Sequence, residues 1–400
     1  MSVTFDTASF YEKTICTDYK MKKKKLRGVS LFANVGVAEA LLETIGVDMK
    51  IANEYVPQRA QFYHDVYPKT HMICGDIKEE TIRNEIVAEA IKEDINFVMA
   101  TPPCQGMSMA GNRFEFDIRN ELIYYAVDII KRIQPEYALI ENVPTILKTK
   151  IAIDGQVMLI PEYLKMELGN HYTFNDESLI KTMDYAIPQM RERNIFLLVR
   201  KDKNVKWEFP RKERVISLEE AIGNLPSLDP MLREGLDFTL QKFPDFEKKK
   251  EAAAKVSPWH KPPVHSWKQV EWMMHTPSGK SAIYNEKYYP QKDNGEHIVA
   301  HHNHYRRMAW EKPSRTITQN NGVISSLACV HPGRPYLKDG DTLYSDPRVL
   351  SIYEIMIVSS LPLDWPIPSW ANDNLIRKVI GEGIPSKLIK VIVEQLIKQL

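Results

Sequence analysis

Cys104 stands directly behind two prolines in the stretch MATPPCQGMSMAG, residues 99–111. Proline fixes φ and removes the backbone donor, so two in succession make a rigid, non-helical turn that presents the next side chain in a set direction. A cysteine held in this way is either a packed thiol or a nucleophile. As a nucleophile it must ionise, and with an ordinary thiol pKa of ~8.5 only about a tenth is thiolate near pH 7.5, so cationic neighbours are needed. Arg191 and Arg193, in PQMRERNIF, can supply them. Three carboxylates stand in places like that of this cysteine: Glu54 in ANEY, Asp76 in GDI and Glu141 in ENV.

Each of these groups closes a short apolar run. GVSLFANV, MKIANE, THMICGD, INFVMATPP, YALIENV and NIFLLVR read as strands, separated by helix-period stretches such as 37–46 and 119–133. This is the βαβ rhythm of a doubly wound, Rossmann-like α/β sheet over residues 26–200. Ligands of open α/β sheets bind beyond the carboxyl ends of the strands. One strand-end carboxylate ordinarily caps a helix. Glu54, Asp76, Cys104 and Glu141 at four strand ends in series read instead as one site. Gly36 allows a tight turn and a close backbone approach to a ligand, and Glu54, about twenty residues on, is where a Rossmann-type carboxylate takes ribose hydroxyls.

The remaining chain frames this unit. Its 400 residues suit two domains, and the net charge of +1 excludes a strongly basic protein without excluding a basic cleft for nucleic acid. Cys16, Cys74, Cys104 and Cys329 form no CxxC pair, and no signal peptide or membrane-length apolar run occurs, which reads as a reducing, cytoplasmic setting with free thiols. Residues 1–25 form an N-terminal extension ending in lysines 22–25. From 201 to 345 the rhythm gives way to proline-, tryptophan-, histidine- and lysine-rich sequence, a second, smaller and irregular domain. Residues 346–400 carry two helical patterns, the last an amphipathic helix able to pack back on the first domain. His297, His301, His302 and His304 lack cysteine partners and standard ligand spacing, so no metal is expected there.

Taken in order, SLFANVGVAEALLE, ANEY, GDI, TPPCQGMS, ENV, PQMRERNIFLLV, RTIT and GEGIPSKL resemble the motifs of the DNA cytosine-5 methyltransferases, over roughly residues 29–390. The resemblance implies a class I methyltransferase sheet with a target-recognition domain at 201–345. It implies S-adenosyl-L-methionine as cofactor, S-adenosyl-L-homocysteine as product and double-stranded DNA as partner. A cognate restriction endonuclease acting separately, or a solitary role, fits equally; a monomer and no membrane are expected. Carbon 5 of cytosine is a poor nucleophile, and thiolate attack on carbon 6 turns the ring into an enamine-like species that accepts a methyl group there. Cys104 takes that role by resemblance, Glu141 the N3 and amine edge of the base, and Arg193 its O2. Arg191 and Gln189 support the carboxylate and the neighbouring loop. The stretch after the nucleophile reads as a mobile lid, with Gln105, Ser108 and Arg113 to fill the vacated stack or hold phosphates.

For the cofactor, the resemblance assigns Phe32, Val35 and Gly36 to the first loop and Glu54 to the ribose. It sets Tyr55 beside the adenine, Asp76 and Ile77 at its edge, Pro103 and Leu122 along the pocket, and Glu382 and Gly383 near the methionine end. Arg306 and Arg307 are candidate DNA contacts, while Arg315 and Thr318 are expected to order the second domain. The chain departs from the family pattern in two places. Ser30, Asn34 and Val37 stand where an acidic residue and glycines are usual, and Glu382 and Gly383 stand where the last motif has asparagine. A tRNA cytosine methyltransferase of the same superfamily is an alternative, but its cysteine-phenylalanine-threonine signature is absent. A nicotinamide dehydrogenase leaves Cys104, Glu141 and Arg193 unexplained, and a non-catalytic regulatory member would have lost a catalytic position.

Overall fold

The computed structural model describes residues 26–103, 121–153 and 156–400. Its centre is an eight-stranded sheet built from β1 (Leu26–Leu31), β2 (Val47–Glu54), β3 (His71–Cys74), β4 (Phe97–Ala100), β5 (Tyr137–Asn142), β8 (Tyr172–Phe174), β9 (Leu179–Lys181) and β11 (Glu192–Arg200). A small hairpin, β6 (Lys150–Ile153) with β7 (Gln156–Leu159), lies apart from it. The order is β3-β2-β1-β4-β5-β11-β8, with β9 also on β11. The first five strands run parallel, and β11 is antiparallel to β5, β8 and β9. The chain therefore leaves β1 toward β3 and then returns to β4 on the other side, which opens a crevice at the carboxyl ends of β1 and β4. Strands covered on both faces read as continuous apolar runs rather than alternating ones, and β4 and β5 are buried at every position.

Helices cover both faces. On one, α2 (Glu80–Lys92), α3 (Leu122–Ile133) and α4 (Ile160–Leu168) set Ile86, Ile130 and Leu164 against Val29, Val98 and Ile140. On the other, the closing helix α11 (Ser386–Ile397) lays Leu388, Ile392 and Leu396 over Leu26, Phe97, Leu139 and Leu197. That layer does not stop at Arg200: Trp207 is buried among Phe97 and Tyr137 and donates its indole N–H to the Ile392 carbonyl at 2.9 Å. A third apolar cluster joins α1 (Pro57–Val66), α9 (Ile352–Val358) and α10 (Asp373–Glu382). The C-terminal region thus holds three helices, one more than its two apolar patterns suggest. The expected helix over 37–46 is instead a chain of turns ending in a 3-10 turn at Glu43–Ile45. Its N–H groups bond three residues back, Glu39 to Gly36, Leu42 to Glu39 and Ile45 to Leu42, because Val37 and Leu42 are drawn into different clusters.

The second unit is assembled from short pieces: α5 (Leu218–Ile222), α6 (Leu236–Lys242), α7 (Phe246–Val256), α8 (Trp267–Met274), β12 (Met231–Leu232) with β13 (Val264–His265), and β15 (Pro335–Lys338) with β16 (Asp341–Tyr344). With so little ladder, buried ions organise it. Arg348, fully enclosed, pairs with Asp346 at 2.9 Å and Glu354 at 2.7 Å. Burial alone would raise the Glu354 carboxyl, but Arg348 and His331 outweigh it and hold it at about 2. The two units meet where β10 (Gln189–Met190) pairs in parallel with β14 (Ser314–Arg315).

Gly381 in the last turn of α10 lies against the segment just after β14, so close that a Cβ would stand 2.1 Å from the Thr318 carbonyl oxygen. Backbone cannot yield there as a flexible side chain would. Gly381→Ala is expected to lower stability by about 1–3 kcal/mol, seen as a lower urea midpoint with an unchanged slope.

Candidate active site

The antiparallel pairing of β5 and β11 sets Glu141 opposite Ile195. Side chains two apart on a strand share a face. Arg193 therefore reaches Glu141 diagonally, Nε to Oε1 at 2.8 Å, and the two side chains are only 12% and 9% exposed. Burial raises the Glu141 carboxyl above its ordinary range, and the pull of Arg193 and Arg191 does not cancel that. The result is a carboxyl that can hold a proton beside a fixed cation. Next to it, the Thr101–Pro102–Pro103 turn is pinned on both sides. Thr101 donates its N–H to Leu31 O at 3.2 Å and its hydroxyl to Phe32 O at 3.1 Å, while Asn142 Nδ2 donates to Pro102 O at 3.1 Å. Pro103 is exposed at the end of the turn. Cys104, Gln105, Ser108 and Arg113 lie outside the described residues.

Arg191 works behind this edge. Its guanidinium donates to Ile317 O at 2.8 Å, Gly381 O at 3.1 Å and Glu382 O at 3.1 Å, tying the chain just before β11 to the last turn of α10. Gln189 stands in the structure as a strut beside this edge. It is fully buried, its amide donating to Val358 O at 3.2 Å and accepting the Ile317 N–H at 3.3 Å.

Around the β1–β2 end of the crevice, Glu54 accepts the N–H groups of Asn34 and Val56, one on each oxygen and each at 2.9 Å. Burial raises its carboxyl, with Val56, Arg59 and Asn34 acting against that and Glu382 adding to it. Tyr55, the next residue, leaves 66% of its surface open. Asp76 caps its own turn by accepting the Lys78 N–H at 3.0 Å. Phe32 and Leu122 are half-buried against the first apolar cluster. Val35 and Ile77 prove to be core: Val35 is wholly enclosed with Phe62 and Met356, Ile77 lies 3% exposed among Ile73 and Ile86, and neither side chain lines an open crevice. Gly36 is needed for a different close approach from the one expected. With φ at 78°, a Cβ on it would stand 2.2 Å from the Tyr67 ring, and Tyr67 donates its hydroxyl to the Gly36 carbonyl at 2.6 Å.

Sequence reasoning missed the carboxylate beneath this loop. Glu39 is 4% exposed and accepts hydroxyls from Ser30, at 2.5 Å, and from Tyr63. A glutamate inside the apolar run VGVAEALL is the one signal that could have revealed it. Asn194 was missed as well: it is fully buried where β5 pairs with β11, and neither amide atom has a hydrogen-bond partner among the described residues.

The second unit presents an exposed basic face. His301, His302 and Arg315 are exposed and Arg306 half-buried, with Arg315 bonded to Asn303 Oδ1 at 3.1 Å. Burial depresses the His302 imidazole, and the nearby charges of His301, Arg306 and Arg315 lower it further, which sets these groups in one field. Since Arg315 is Met190's partner in the β10–β14 pair, the face adjoins the Arg191–Arg193 edge. Beside Arg315, Thr316 donates its hydroxyl to Met190 O at 2.7 Å, a further bond across the same pair of strands. Arg307 is corrected outright. It is fully enclosed, and its guanidinium donates to the carbonyls of Met273, His331, Asp346 and Tyr344, so no group is left for DNA.

The family model for C-5 cytosine-specific DNA methylases matches residues 26–398. Type II methyltransferase M1.HgaI of Avibacterium volantium is 40% identical over 382 residues, 94% of this chain and 99% of that one. Among solved structures, a prophage-encoded E. coli chain assigned to the DNA modification methyltransferases aligns with a TM-score of 0.64 at 19% identity, covering 93% of this chain and 98% of its own. A DNMT2 mutant of Spodoptera frugiperda aligns with a TM-score of 0.56 at 14% identity, covering 92% and 100%. At such identities the two structures speak for the fold alone.

The buried Glu39 carboxyl generates a pH test. Burial pushes it from its ordinary 4.5 up to about 7, against the two hydroxyl bonds that pull it down. A carboxyl with a raised folded pKa contributes stability that is complete below its unfolded pKa and is lost as pH rises through the folded one. Between pH 5 and 8 the protein should therefore lose roughly 3 kcal/mol relative to Glu39→Gln, measured by urea unfolding at both pH values.

Proposed function

The chain belongs to the C-5 cytosine-specific DNA methylases, and from that premise we propose that it methylates carbon 5 of one cytosine in a short duplex sequence, through a covalent adduct on Cys104 and with S-adenosylmethionine as donor. The observation that carries this reading is the buried Glu141–Arg193 pair beside the pinned Pro102–Pro103 turn. A cytosine attacked at carbon 6 gathers negative charge at N3 and O2. A carboxyl whose hold on a proton is strengthened by burial can share one with N3, and a guanidinium fixed by its bond to that carboxyl meets O2. Both groups are in place before the base arrives, so little reorganisation is needed during the reaction.

In this account the Cys104 thiolate bonds to carbon 6, carbon 5 takes the methyl group, the carbon 5 proton leaves to a base, and the thiolate is expelled as the ring double bond re-forms. These atoms are inaccessible within a stacked duplex, so the cytosine must be flipped out, at a cost of about a few kcal/mol. The crevice residues fit the cofactor. Glu54 uses one acceptor site per oxygen on the backbone and keeps others for a ribose diol, Tyr55 offers an open ring beside it, and Asn34 Oδ1 is buried without a partner among the described residues. When bound, S-adenosylmethionine supplies the electrophilic methyl group.

Duplex DNA is assigned to the face of His301, His302, Arg306 and Arg315, which adjoins the catalytic edge. Similarity to a type II methyltransferase supports a modification role. In this reading the protein acts as a monomer, either beside a separate cognate endonuclease or as a solitary enzyme. Among the described residues no helix is long and apolar enough to cross a membrane, and the cytoplasm is where such a substrate would be met.

Duplexes in which 5-fluorocytosine replaces cytosine test the covalent step, because fluorine cannot leave as the carbon 5 proton does. With S-adenosylmethionine present, the protein should form a complex that survives denaturing electrophoresis, and Cys104→Ser should form none while still binding DNA. An adduct of equal yield on Cys104→Ser would overturn the assignment.

A further inference from the structure

The two places where the chain departs from its family pattern touch each other. Val37 of the first loop lies against Gly383, where an added Cβ would come within 2.7 Å of the valine Cβ. Asn34 of the same loop donates Nδ2 to Glu382 Oε2 at 3.3 Å, and Arg59, in the first turn of α1, pairs with that same oxygen at 2.8 Å. Both bonds fall on Oε2, so Oε1 takes part in neither. Asn34 also gives its N–H to Glu54, and both Arg59 and Glu382 are felt by the Glu54 carboxyl, so the four residues share one small volume. Arg191 holds the turn from behind through the Gly381 and Glu382 carbonyls.

What this cluster lacks is a donor. Among the described residues Asn34 Oδ1 is buried with no hydrogen-bond partner, a condition that costs about 1–3 kcal/mol and is rare in a finished network. Two carboxylates and one guanidinium leave a single negative charge when both acids are ionised. A latch between the loop and α10 would need only the Asn34 Nδ2 and Arg59 bonds already made. The spare acceptors and the surplus charge call for a small cation with several N–H groups, next to the carboxylate that takes the ribose.

We propose that Asn34 Oδ1 and the Glu382 carboxylate seat the α-ammonium group of the cofactor's amino-acid end, with Arg59 as a positioning residue that fixes the carboxylate. This rests on the reading that the cofactor is S-adenosylmethionine. The departures at 34, 37, 382 and 383 then form one unit: Val37 and Gly383 set the spacing, Asn34 and Glu382 supply the acceptors, and Arg59 limits the charge.

Calorimetric titration with two probes tests it without turnover. S-adenosylhomocysteine carries the amino-acid end, and methylthioadenosine keeps the nucleoside and thioether without it. Glu382→Gln should weaken S-adenosylhomocysteine about ten- to a hundredfold, and Asn34→Gly, tolerated at a φ of 50°, by about fivefold or more, with methylthioadenosine unchanged in both. Equal loss for the two probes would make the cluster a structural latch and overturn the proposal, as would no loss for either. Failure of the unsubstituted protein to bind either probe would instead overturn the cofactor reading on which the proposal stands.

Discussion

The antiparallel pairing of β11 with β5 is the constraint from which the site follows. Parallel strands alone would deliver only residues at their own carboxyl ends. Reversing the strand beside β5 lets β11 begin where β5 finishes, so Arg193 at the start of one meets Glu141 near the end of the other. Arg191, just before that strand, reaches the opposite way into the last turn of α10. Two arginines two residues apart thereby link the candidate base-facing groups to the cofactor crevice. A buried ion pair of this sort adds little net stability, since desolvation offsets attraction, but removing one partner leaves an uncompensated charge. Its value lies in placement: Glu141 is held at a fixed point with its carboxyl raised, and Arg193 is oriented by the group it neutralises.

Much of this was legible because the chemistry sits at strand ends and strand ends are visible in sequence. The apolar runs ending in Glu54, Asp76, the paired prolines and Glu141 became β2, β3, β4 and β5 with the carboxyl-end groups where the rhythm placed them. What stayed hidden depends on contacts between distant segments. Nothing in HNHYRRMAW tells Arg306 from Arg307, yet one is half-buried on a basic face and the other is the fully enclosed donor to four carbonyls. Gly36 looked like a ligand-approach glycine, and the group that approaches it is Tyr67, a full helix away. The helix expected at 37–46 failed because propensity and period gave way to the demand that Glu39 turn inward to Ser30 and Tyr63.

The irregular second unit shows how a region of little ladder is kept in one shape. Arg348 and Arg307 answer several carbonyls and carboxylates at once, and a guanidinium with its rigid fork of donors suits that work better than an ammonium. Such a frame leaves the outer face free to carry exposed polar groups, and the exposed histidines and Arg315 use it. The two-residue pairing of β10 with β14 sets the basic face beside the Glu141–Arg193 edge.

The most direct measurement is base-resolution mapping of 5-methylcytosine in unmethylated genomic DNA incubated with the purified protein and S-adenosylmethionine. The account predicts methylation at one cytosine of one short motif, and its loss when Arg193 is replaced by alanine. DNA left unmethylated by a protein shown to bind the cofactor, or methylation undiminished without Arg193, would contradict it.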